Sequence, residues 1–306
     1  MSTRSELTTL GTGAALPARG RYPTAQFLIM GEEHFLIDCG EGTQERLRQA
    51  GINPHRIRHI LISHLHGDHY LGLMGLISSM HLNGREKPLA VHGPQELEEI
   101  IRLQMRVSQT FLRYPLTFHV VEQRSGASVL ATERVTVTAL ALKHRIPCTG
   151  YLFRERPGLR ILRKEEVHRI PHYARTAVKE GQDLVLENGE VVPNAVLTTD
   201  PPAPRSYAYC SDTAHEPALI PFLKGVDLLY HEATFTEALA KRARETQHST
   251  AAQAATMARD SGVGRLLLGH FSSRYKNADV LLQEALPIFP RTELAYEGGV
   301  FPIRPR

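Results

Sequence analysis

The stretch that decides the fold is Ser63-His-Leu-His-Gly-Asp-His69, which follows the apolar run Ile60-Leu-Ile62. Because side chains alternate along an extended chain, His64 and His66 fall on one side, where both imidazoles can reach one cation. We expect Gly67 to take a positive φ and to turn Asp68 and His69 toward a second position. The spacing therefore predicts two adjacent metal sites and a dinuclear metallohydrolase, the alternative being a histidine-rich surface loop in a chain with 16 His.

Single residues of the same types follow other strand-like apolar runs. They are His144 after residues 135–142, Asp212 after residues 207–210 and His270 after residues 266–268. The ends of buried strands are where α/β folds place their chemistry. Each residue alone could be a core histidine or a helix cap, but the series predicts that they converge on the two metals.

Further blocks identify the chain by resemblance. The HxHxDH pattern resembles the metallo-β-lactamase superfamily, and the remaining blocks are similar to those of the ribonuclease Z family, endonucleases that trim the 3′ ends of precursor tRNAs. In family order they are Leu10-Gly-Thr-Gly13, Ile37-Asp-Cys-Gly-Glu-Gly-Thr-Gln44, Lys143-His-Arg-Ile-Pro147, Ser211-Asp-Thr213, His231-Glu-Ala-Thr-Phe235, His248-Ser-Thr250 and Gly269-His-Phe-Ser-Ser-Arg-Tyr275. The resemblance spans about residues 7 to 276, and the last three blocks make it specific to this branch.

The resemblance implies a role for each candidate site residue. His64, His66 and His144 would hold the first metal, Asp68, His69 and His270 the second, and Asp212 would bridge them. Asp68 would also act as proton acceptor, and His248, oriented by Glu232, would protonate the leaving oxygen. Asp38 would support a ligand imidazole, and Ser272, Ser273 and Arg274 would bind the scissile phosphate.

Structural alternatives stay open for several of these residues. His248 could belong to a helix-capping neighbourhood, with Ser249 as the cap of a helix from Ala251 to Asp260. Asp38 could be a plain carboxylate at a helix N-terminus, and residues 272–274 could form a turn held by their own side chains.

The donor set of imidazole and carboxylate without thiolate favours a borderline cation. Two Zn²⁺ per subunit are the first expectation, with Mn²⁺ or Fe²⁺ open. A water between two such ions, about 3.5–4 Å apart, is deprotonated near neutral pH and can attack a phosphorus centre. Hydrolysis just after the acceptor stem would leave a tRNA 3′-hydroxyl and a trailer 5′-phosphate.

The whole chain favours one large core domain over residues 1–306, because the ligands are scattered from 64 to 270 and no linker separates them. Short β-rich runs alternate with helix candidates, which predicts an α/β fold. The resemblance implies an αββα four-layer sandwich of the metallo-β-lactamase type with a protruding basic arm. The N-terminus lacks an apolar leader, no long apolar stretch occurs, and three cysteines without CxxC spacing favour a reduced, cytoplasmic protein away from membranes.

A basic insertion lies between two of the blocks, at residues 154–192. Its proposed phosphate-binding residues are Arg160, Arg163, Lys164, Arg175 and Lys179, and Glu187-Asn-Gly-Glu190 predicts a hairpin near its end. It resembles the exosite arm of bacterial ribonuclease Z, although its tip, Ile170–Ala177, departs from the Gly-Pro-rich segment of many relatives. The alternative is a solvated insertion without a ligand.

The resemblance also implies partners: precursor tRNA and a second copy of the chain in a homodimer. Two other functions compete. One is a small-molecule phosphodiesterase or other hydrolase of the same superfamily, which would use the same metals on another substrate. The other is a catalytically silent RNA-binding relative, which the complete ligand set disfavours.

Overall fold

The computed structural model describes residues 4–305, so the expectation about a leader falls partly outside the described residues. The strands are β1 (Glu6–Gly11), β2 (Ala25–Met30), β3 (Glu33–Ile37), β4 (His59–Leu61), β5 (Leu89–Gly93), β6 (Leu116–Val120), β7 (Ser128–Ala131), β8 (Val135–Leu142), β9 (Cys148–Glu155), β10 (Ile161–Leu162), β11 (Leu184–Val185), β12 (Val191–Val192), β13 (Thr198–Thr199), β14 (Ser206–Cys210), β15 (Leu228–Glu232), β16 (Arg265–Gly269), β17 (Thr292–Leu294) and β18 (Val300–Pro302). The α-helices are α1 (Thr43–Gln49), α2 (Gly67–Tyr70), α3 (Leu73–Leu82), α4 (Glu96–Val107), α5 (Arg175–Lys179), α6 (Asn194–Leu197), α7 (Ile220–Leu223), α8 (Ala240–Thr246), α9 (Ala251–Ser261) and α10 (Asp279–Ala285).

Two seven-stranded sheets form the core of residues 4–155 and 205–305. The first has the order β18-β1-β2-β3-β4-β5-β6, and the second has the order β17-β16-β15-β14-β9-β8-β7. In each sheet four consecutive strands run parallel, β3 to β6 in the first and β14 to β17 in the second. The loops at the carboxyl ends of these parallel strands are where polar chemistry is placed in such sheets.

Alternation of side chains along the strands gives three separate apolar layers. One face of the first sheet, with Phe35, Ile37 and Leu61, packs against the inner face of the second sheet. Its other face, with Leu36 and Ile60, is covered by apolar side chains of α1, α3 and α4. The outer face of the second sheet packs against α7, α9 and α10. The layers are therefore α/β/β/α, as expected.

Residues Arg156–Pro204 form a compact unit of their own. Within it, β10 pairs with β13 and β11 pairs with β12. The β11–β12 hairpin closes over residues 187–190, where the Leu186 amide donates to the Glu190 carbonyl at 2.8 Å. A small apolar core includes Ile170, Val178 and Leu197. The predicted hairpin is present, and the insertion has a core that orders it.

The expected turn at Gly67 is wrong in one respect. Gly67 has no positive φ, because it begins the short helix α2. The His69 amide donates to the His66 carbonyl at 3.0 Å, and this helical turn redirects Asp68 and His69. The glycine that this loop requires is Gly40, because a Cβ at that position would lie only 2.4 Å from the Asp68 carbonyl oxygen.

No helix within residues 4–305 combines the length and the apolar character needed to cross a bilayer.

Candidate metal centre

Three candidate site residues lie just past strand ends in left-handed backbone. Asp38 follows β3 with φ 56°, Asp212 follows β14 with φ 61°, and His270 follows β16 with φ 58°. This region is unfavourable for residues with a side chain and persists only where the surroundings impose it. All three residues lie at the carboxyl ends of parallel strands, where side chains from both sheets meet in one place.

The first candidate metal position is lined by three imidazoles. His64 Nε2 lies 2.9 Å from His66 Nδ1, and His144 Nε2 lies 3.1 Å from the same atom. Burial and the neighbouring imidazoles lower the pKa of His64 well below its ordinary value. A neutral imidazole with an available lone pair is the form that binds a cation. His144 Nδ1 is 3.1 Å from the Gln247 carbonyl, which leaves its Nε2 for the site.

The second position is lined by Asp68, His69 and His270. Asp68 Oδ2 lies 3.4 Å from His69 Nε2 and 3.7 Å from His270 Nε2. The same oxygen accepts a hydrogen bond of 2.8 Å from the Ala15 amide, which fixes the carboxylate. The fold thus brings all three residues together, although Asp68 and His270 are 202 positions apart in sequence (270 − 68).

Asp212 lies between the two positions. Its Oδ2 is 2.9 Å from His69 Nε2 and 3.3 Å from His270 Nε2. Its Oδ1 faces the other way, 3.9 Å from His144 Nε2. The carboxylate therefore presents one oxygen to each position, which is the arrangement that a bridging ligand requires.

The chemistry of this cluster fits divalent cations. His69 Nε2 and His270 Nε2 are buried and make no hydrogen bond with acceptable geometry among the described residues, even though both are directed at carboxylates. Burial disfavours a charged His69, but Asp212, Asp38 and Asp68 outweigh it and raise the pKa of His69 well above its usual range. The surrounding carboxylates thus favour positive charge at His69, and a divalent metal bound at Nε2 would supply that charge in place of the ring proton.

Asp38 is hydrogen-bonded to the ring of His69 on the side away from the second position. Its Oδ2 accepts hydrogen bonds from His69 Nδ1 at 2.7 Å, from the Ser63 hydroxyl at 2.9 Å and from the Tyr209 hydroxyl at 2.6 Å. A donor bond from Nδ1 fixes the ring so that Nε2 points at the metal position. Asp38 precedes α1 without capping it, since the residue at the N-cap position is Gly42.

His248 and Glu232 form a buried pair. Glu232 is fully buried at the end of β15, and its Oε1 lies 2.9 Å from His248 Nδ1. Burial disfavours a charged imidazole, but the charge and hydrogen bond of Glu232 outweigh it and raise the pKa of His248 to about 9. The Glu232 carboxylate therefore favours the protonated form of His248, and Nε2 is the ring nitrogen that remains for donation.

The capping prediction at Ser249 is wrong by one residue. Thr250 is the N-cap of α9 and forms a capping box with Gln253. The Ser249 hydroxyl donates instead to the Thr213 carbonyl at 2.7 Å. Capping therefore gives no account of His248, whose ring is held by Glu232.

A cleft of about 480 Å³ opens over this centre. Ser272, Ser273 and Arg274 line it, as does the aromatic ring of Phe235. The Arg274 guanidinium lies over the Phe235 ring at 4.8 Å, and its Nε donates to the Ser272 hydroxyl at 3.0 Å. The Ser272 and Arg274 side chains thus bond to each other and line the cleft at the same time.

The five basic residues predicted in the insertion fall into two groups. Arg160, Arg163 and Arg175 make hydrogen bonds inside their own unit, Arg160 to Thr198 and Asp200, Arg163 to the Thr198 carbonyl, and Arg175 to carbonyls of Val167 and Ile170. Lys164 and Lys179 are exposed, and no side-chain partner is found for either within the described residues. The two lysines are the better candidates for an external ligand.

Sequence reasoning missed two kinds of residue at this centre. Arg145 and Arg242 also line the cleft: Arg145 lies inside the quoted block Lys143–Pro147, next to His144, whereas Arg242 lies outside every quoted block. The hydroxyls of Ser63 and Thr234 contact ligand imidazoles. Ser63 and Thr234 both lie inside quoted motifs, and their closeness in sequence to candidate ligands was the only signal for a role. The group that a hydroxyl contacts could not be predicted, because its direction depends on the tertiary structure.

Comparison with known proteins settles the family. A ribonuclease Z from Bacteroides fragilis is 46% identical over 295 residues, which cover 96% of this chain and 97% of that protein. The chain belongs to the ribonuclease Z family. The crystal structure of human tRNase Z, short form, has a TM-score of 0.70 and 27% identity, covering 97% of this chain and 98% of that chain.

The fold of this family member is also that of more distant proteins. YhfI from Bacillus subtilis, a metallo-β-lactamase fold protein, has a TM-score of 0.70 at 19% identity and covers 98% of this chain and 100% of that chain. The family model for the anti-Pycsar protein Apyc1 matches residues 5–155. That match contains the histidine loop but not the later blocks from Asp212 to His270. The expected αββα sandwich of the metallo-β-lactamase type is confirmed by the two solved structures, each of which covers nearly the whole chain.

Proposed function

We propose that the protein is an endoribonuclease that removes 3′ trailers from precursor tRNA by hydrolysis just after the acceptor stem. The observation that carries the proposal is the Asp212 carboxylate, which offers one oxygen to the His64–His66–His144 group and the other to the Asp68–His69–His270 group. Full-length similarity to ribonuclease Z proteins supports the RNA substrate. A tRNA product with a 3′-hydroxyl and a trailer with a 5′-phosphate would result.

Two divalent metals, with zinc as the first expectation and Mn²⁺ or Fe²⁺ as alternatives, would be held by these two groups. Bound there, they would supply Lewis acidity and a water that ionises near neutral pH. The carboxylates of Asp212 and Asp68 balance the positive charge. Asp68 is also the proposed proton acceptor, since the Ala15 amide holds it beside the ring nitrogens of the second group.

His248 is the proposed proton donor to the departing oxygen. As the bond between phosphorus and the ribose 3′-oxygen breaks, that oxygen takes a proton and leaves as the 3′-hydroxyl. The Glu232 carboxylate keeps His248 protonated and fixes Nδ1, so that Nε2 is free to donate. His248 lines the same cleft as Asp68 and Asp212, where a phosphodiester would enter.

Cationic groups around the cleft would hold the RNA backbone. Arg145, Arg242 and Arg274 line it together with Ser272 and Ser273. Guanidinium and hydroxyl groups contact phosphate oxygens irrespective of base identity. The buried Phe235 ring lies under the Arg274 guanidinium at 4.8 Å and holds this cation at the cleft.

The inserted unit is the proposed grip on the body of the tRNA, acting through Lys164 and Lys179 on backbone phosphates. We also propose that the enzyme is a homodimer, as in the family that it resembles, and that it works in the cytoplasm. Its three cysteines are free and buried, and burial raises the pKa of Cys39 and of Cys210 to about 12, so both remain thiols.

The experiment is to incubate the purified protein with a 3′-extended precursor tRNA and to map both new ends. We expect one cut just after the acceptor stem, with a 3′-hydroxyl on the tRNA, a 5′-phosphate on the trailer, and loss of cutting with a chelator. Turnover of bis(p-nitrophenyl) phosphate without any cutting of the precursor would instead indicate a small-molecule phosphodiesterase.

A further inference from the structure

Two hydroxyl groups at the metal centre are inserted between a buried carboxylate and a ligand imidazole. The Ser63 hydroxyl lies 2.9 Å from Asp38 Oδ2 and 3.0 Å from His64 Nδ1. The Thr234 hydroxyl lies 2.5 Å from Glu232 Oε2 and 2.9 Å from His270 Nδ1. Each carboxylate also holds one imidazole directly, Asp38 that of His69 and Glu232 that of His248.

The hydroxyl of Thr234 has one proton, and its neighbours determine where that proton goes. Glu232 Oε2 is the shortest acceptor and, as a carboxylate, the strongest. The His270 carbonyl, at 3.0 Å, is a longer and neutral alternative. With its proton directed at Glu232, the Thr234 oxygen is an acceptor toward His270, so His270 Nδ1 must be the protonated ring nitrogen.

This tautomer places the lone pair of His270 on Nε2, which faces Asp212 Oδ2 at 3.3 Å and Asp68 Oδ2 at 3.7 Å. No other hydrogen bond to the His270 ring is found among the described residues. The backbone of His270 is itself in the left-handed region, so it gives the side chain an unusual starting direction. The hydroxyl of Thr234 is therefore the group that sets both the tautomer and the rotation of this ring.

We infer that Thr234 is a positioning residue for the metal held by Asp68, His69 and His270, acting through the tautomer of His270. The inference rests on the proposed function, because it requires that this group binds a metal. Glu232 then has two separate roles: one of its oxygens accepts from the Thr234 hydroxyl, and the other accepts from His248 Nδ1. Without the Thr234 hydroxyl, Glu232 still accepts from His248 Nδ1, from the Thr213 amide at 2.6 Å and from the Ser249 amide at 3.1 Å, so the proton donor stays in place.

The test compares Thr234→Val, which keeps the shape and removes the hydroxyl, with Thr234→Ser, which restores it. Thr236→Val is the matched control, since it makes the same change in the same loop and its hydroxyl contacts Tyr275 rather than a ligand. Zinc affinities of both equivalents are measured by competition with a chromophoric chelator, and the zinc dependence of precursor cleavage is measured in parallel. Circular dichroism verifies that each variant is folded.

We expect Thr234→Val to lose about 10- to 100-fold in affinity for one zinc equivalent and to keep the other. Thr234→Ser and Thr236→Val should bind both equivalents as the wild type does. Excess zinc should restore kcat of Thr234→Val, and its pH profile should match that of the wild type because the His248–Glu232 pair is intact.

Unchanged binding of both equivalents by Thr234→Val would overturn the inference, as would equal weakening of both. Failure of Thr234→Ser to restore affinity would also overturn it, since bulk rather than the hydroxyl would then matter. If Thr234→Val does not fold, the Thr234→Ala variant is tested in the same way. A wild-type protein that binds no metal would instead contradict the proposed function, so the two failures are distinguishable.

Discussion

At the scale of single residues, the most informative pair is His248 and Glu232. A carboxylate that is fully buried is unfavourable unless it is fully hydrogen-bonded, and Glu232 accepts four such bonds. The arrangement keeps a protonated imidazole at a cleft that carries negative charge from Asp68 and Asp212. It is suited to a proton donor and would be unnecessary for a purely structural histidine.

Replacing His248 by Ala tests this role. We expect kcat for precursor tRNA to fall by roughly 10²- to 10⁴-fold, because the leaving oxygen loses its proton donor. Metal content should remain at the wild-type level, since neither metal position depends on His248. Loss of bound metal in the variant, measured by elemental analysis, would show that His248 is a ligand instead.

Arg145 tests the phosphate contacts. Arg145→Ala should lower kcat/KM for precursor tRNA about tenfold, because one phosphate contact is lost. The slope of the logarithm of the binding constant against the logarithm of the salt concentration should become shallower by about one. Lys143→Ala is the matched control, because Lys143 is an exposed cation two positions away that does not line the cleft. Equal effects of the two changes would mean that only net charge matters.

At the scale of secondary-structure elements, Glu155 ties the two sheets together. It ends β9, and its carboxylate accepts hydrogen bonds from the Ser5 hydroxyl at 2.7 Å, from the Gly31 amide at 3.3 Å and from Arg205 Nε at 2.8 Å. Ser5 and Gly31 flank strands of the first sheet, and Arg205 precedes β14 of the second. Burial alone would raise the pKa of the Glu155 carboxyl. The hydrogen bonds from Arg205 and Ser5 outweigh burial, so the net effect is a pKa below the ordinary value.

The sign of that shift predicts a pH dependence. Because the folded-state pKa is depressed, the stabilisation is fully present above the unfolded-state value of about 4.3 and is lost as the pH falls through the lower folded-state value. Glu155→Gln should therefore lower the free energy of unfolding by roughly 1–3 kcal/mol at pH 7 and by less below pH of about 4. Denaturant unfolding at pH 7 and at the lower pH measures the loss of stability in this variant, with the exposed Glu122→Gln as the control. A loss of the same size at both pH values would contradict the predicted pH dependence.

The elements show what local sequence can and cannot predict. The strand at residues 135–142 followed from its apolar run, and the helix beginning at 251 followed from its pattern. The turn at Gly67 was wrong because a helical hydrogen bond, not a left-handed glycine, redirects the chain. Glu155 could not be recognised, since its partners come from three distant segments.

At the scale of the whole molecule, the candidate metal-site residues could be proposed from the sequence because each carries its own chemistry and lies in a recognisable block. Their hydroxyl partners, Ser63 and Thr234, were quoted without a role, because a hydroxyl acquires one only from what it contacts. The basic insertion shows the opposite limit. Its charge was visible in the sequence, but Arg160, Arg163 and Arg175 stabilise their own unit.

The remaining charge of that unit gives a prediction. The double change Lys164→Ala and Lys179→Ala should raise KM for precursor tRNA about tenfold or more, because two phosphate contacts are lost, and should leave hydrolysis of bis(p-nitrophenyl) phosphate unchanged. Lys87→Ala and Lys276→Ala, combined in one variant outside this unit, serve as the charge-matched control. Parallel loss on both substrates would mean that the lysines act on the fold rather than on the RNA.

The central claim is that side chains from both sheets converge on two cations that the reaction requires. Elemental analysis of the purified protein at a series of chelator concentrations, with precursor cleavage measured on each sample, tests it most directly. We expect two equivalents of zinc, manganese or iron per chain and loss of cleavage in step with metal removal. Full cleavage by a protein that holds no metal would contradict it.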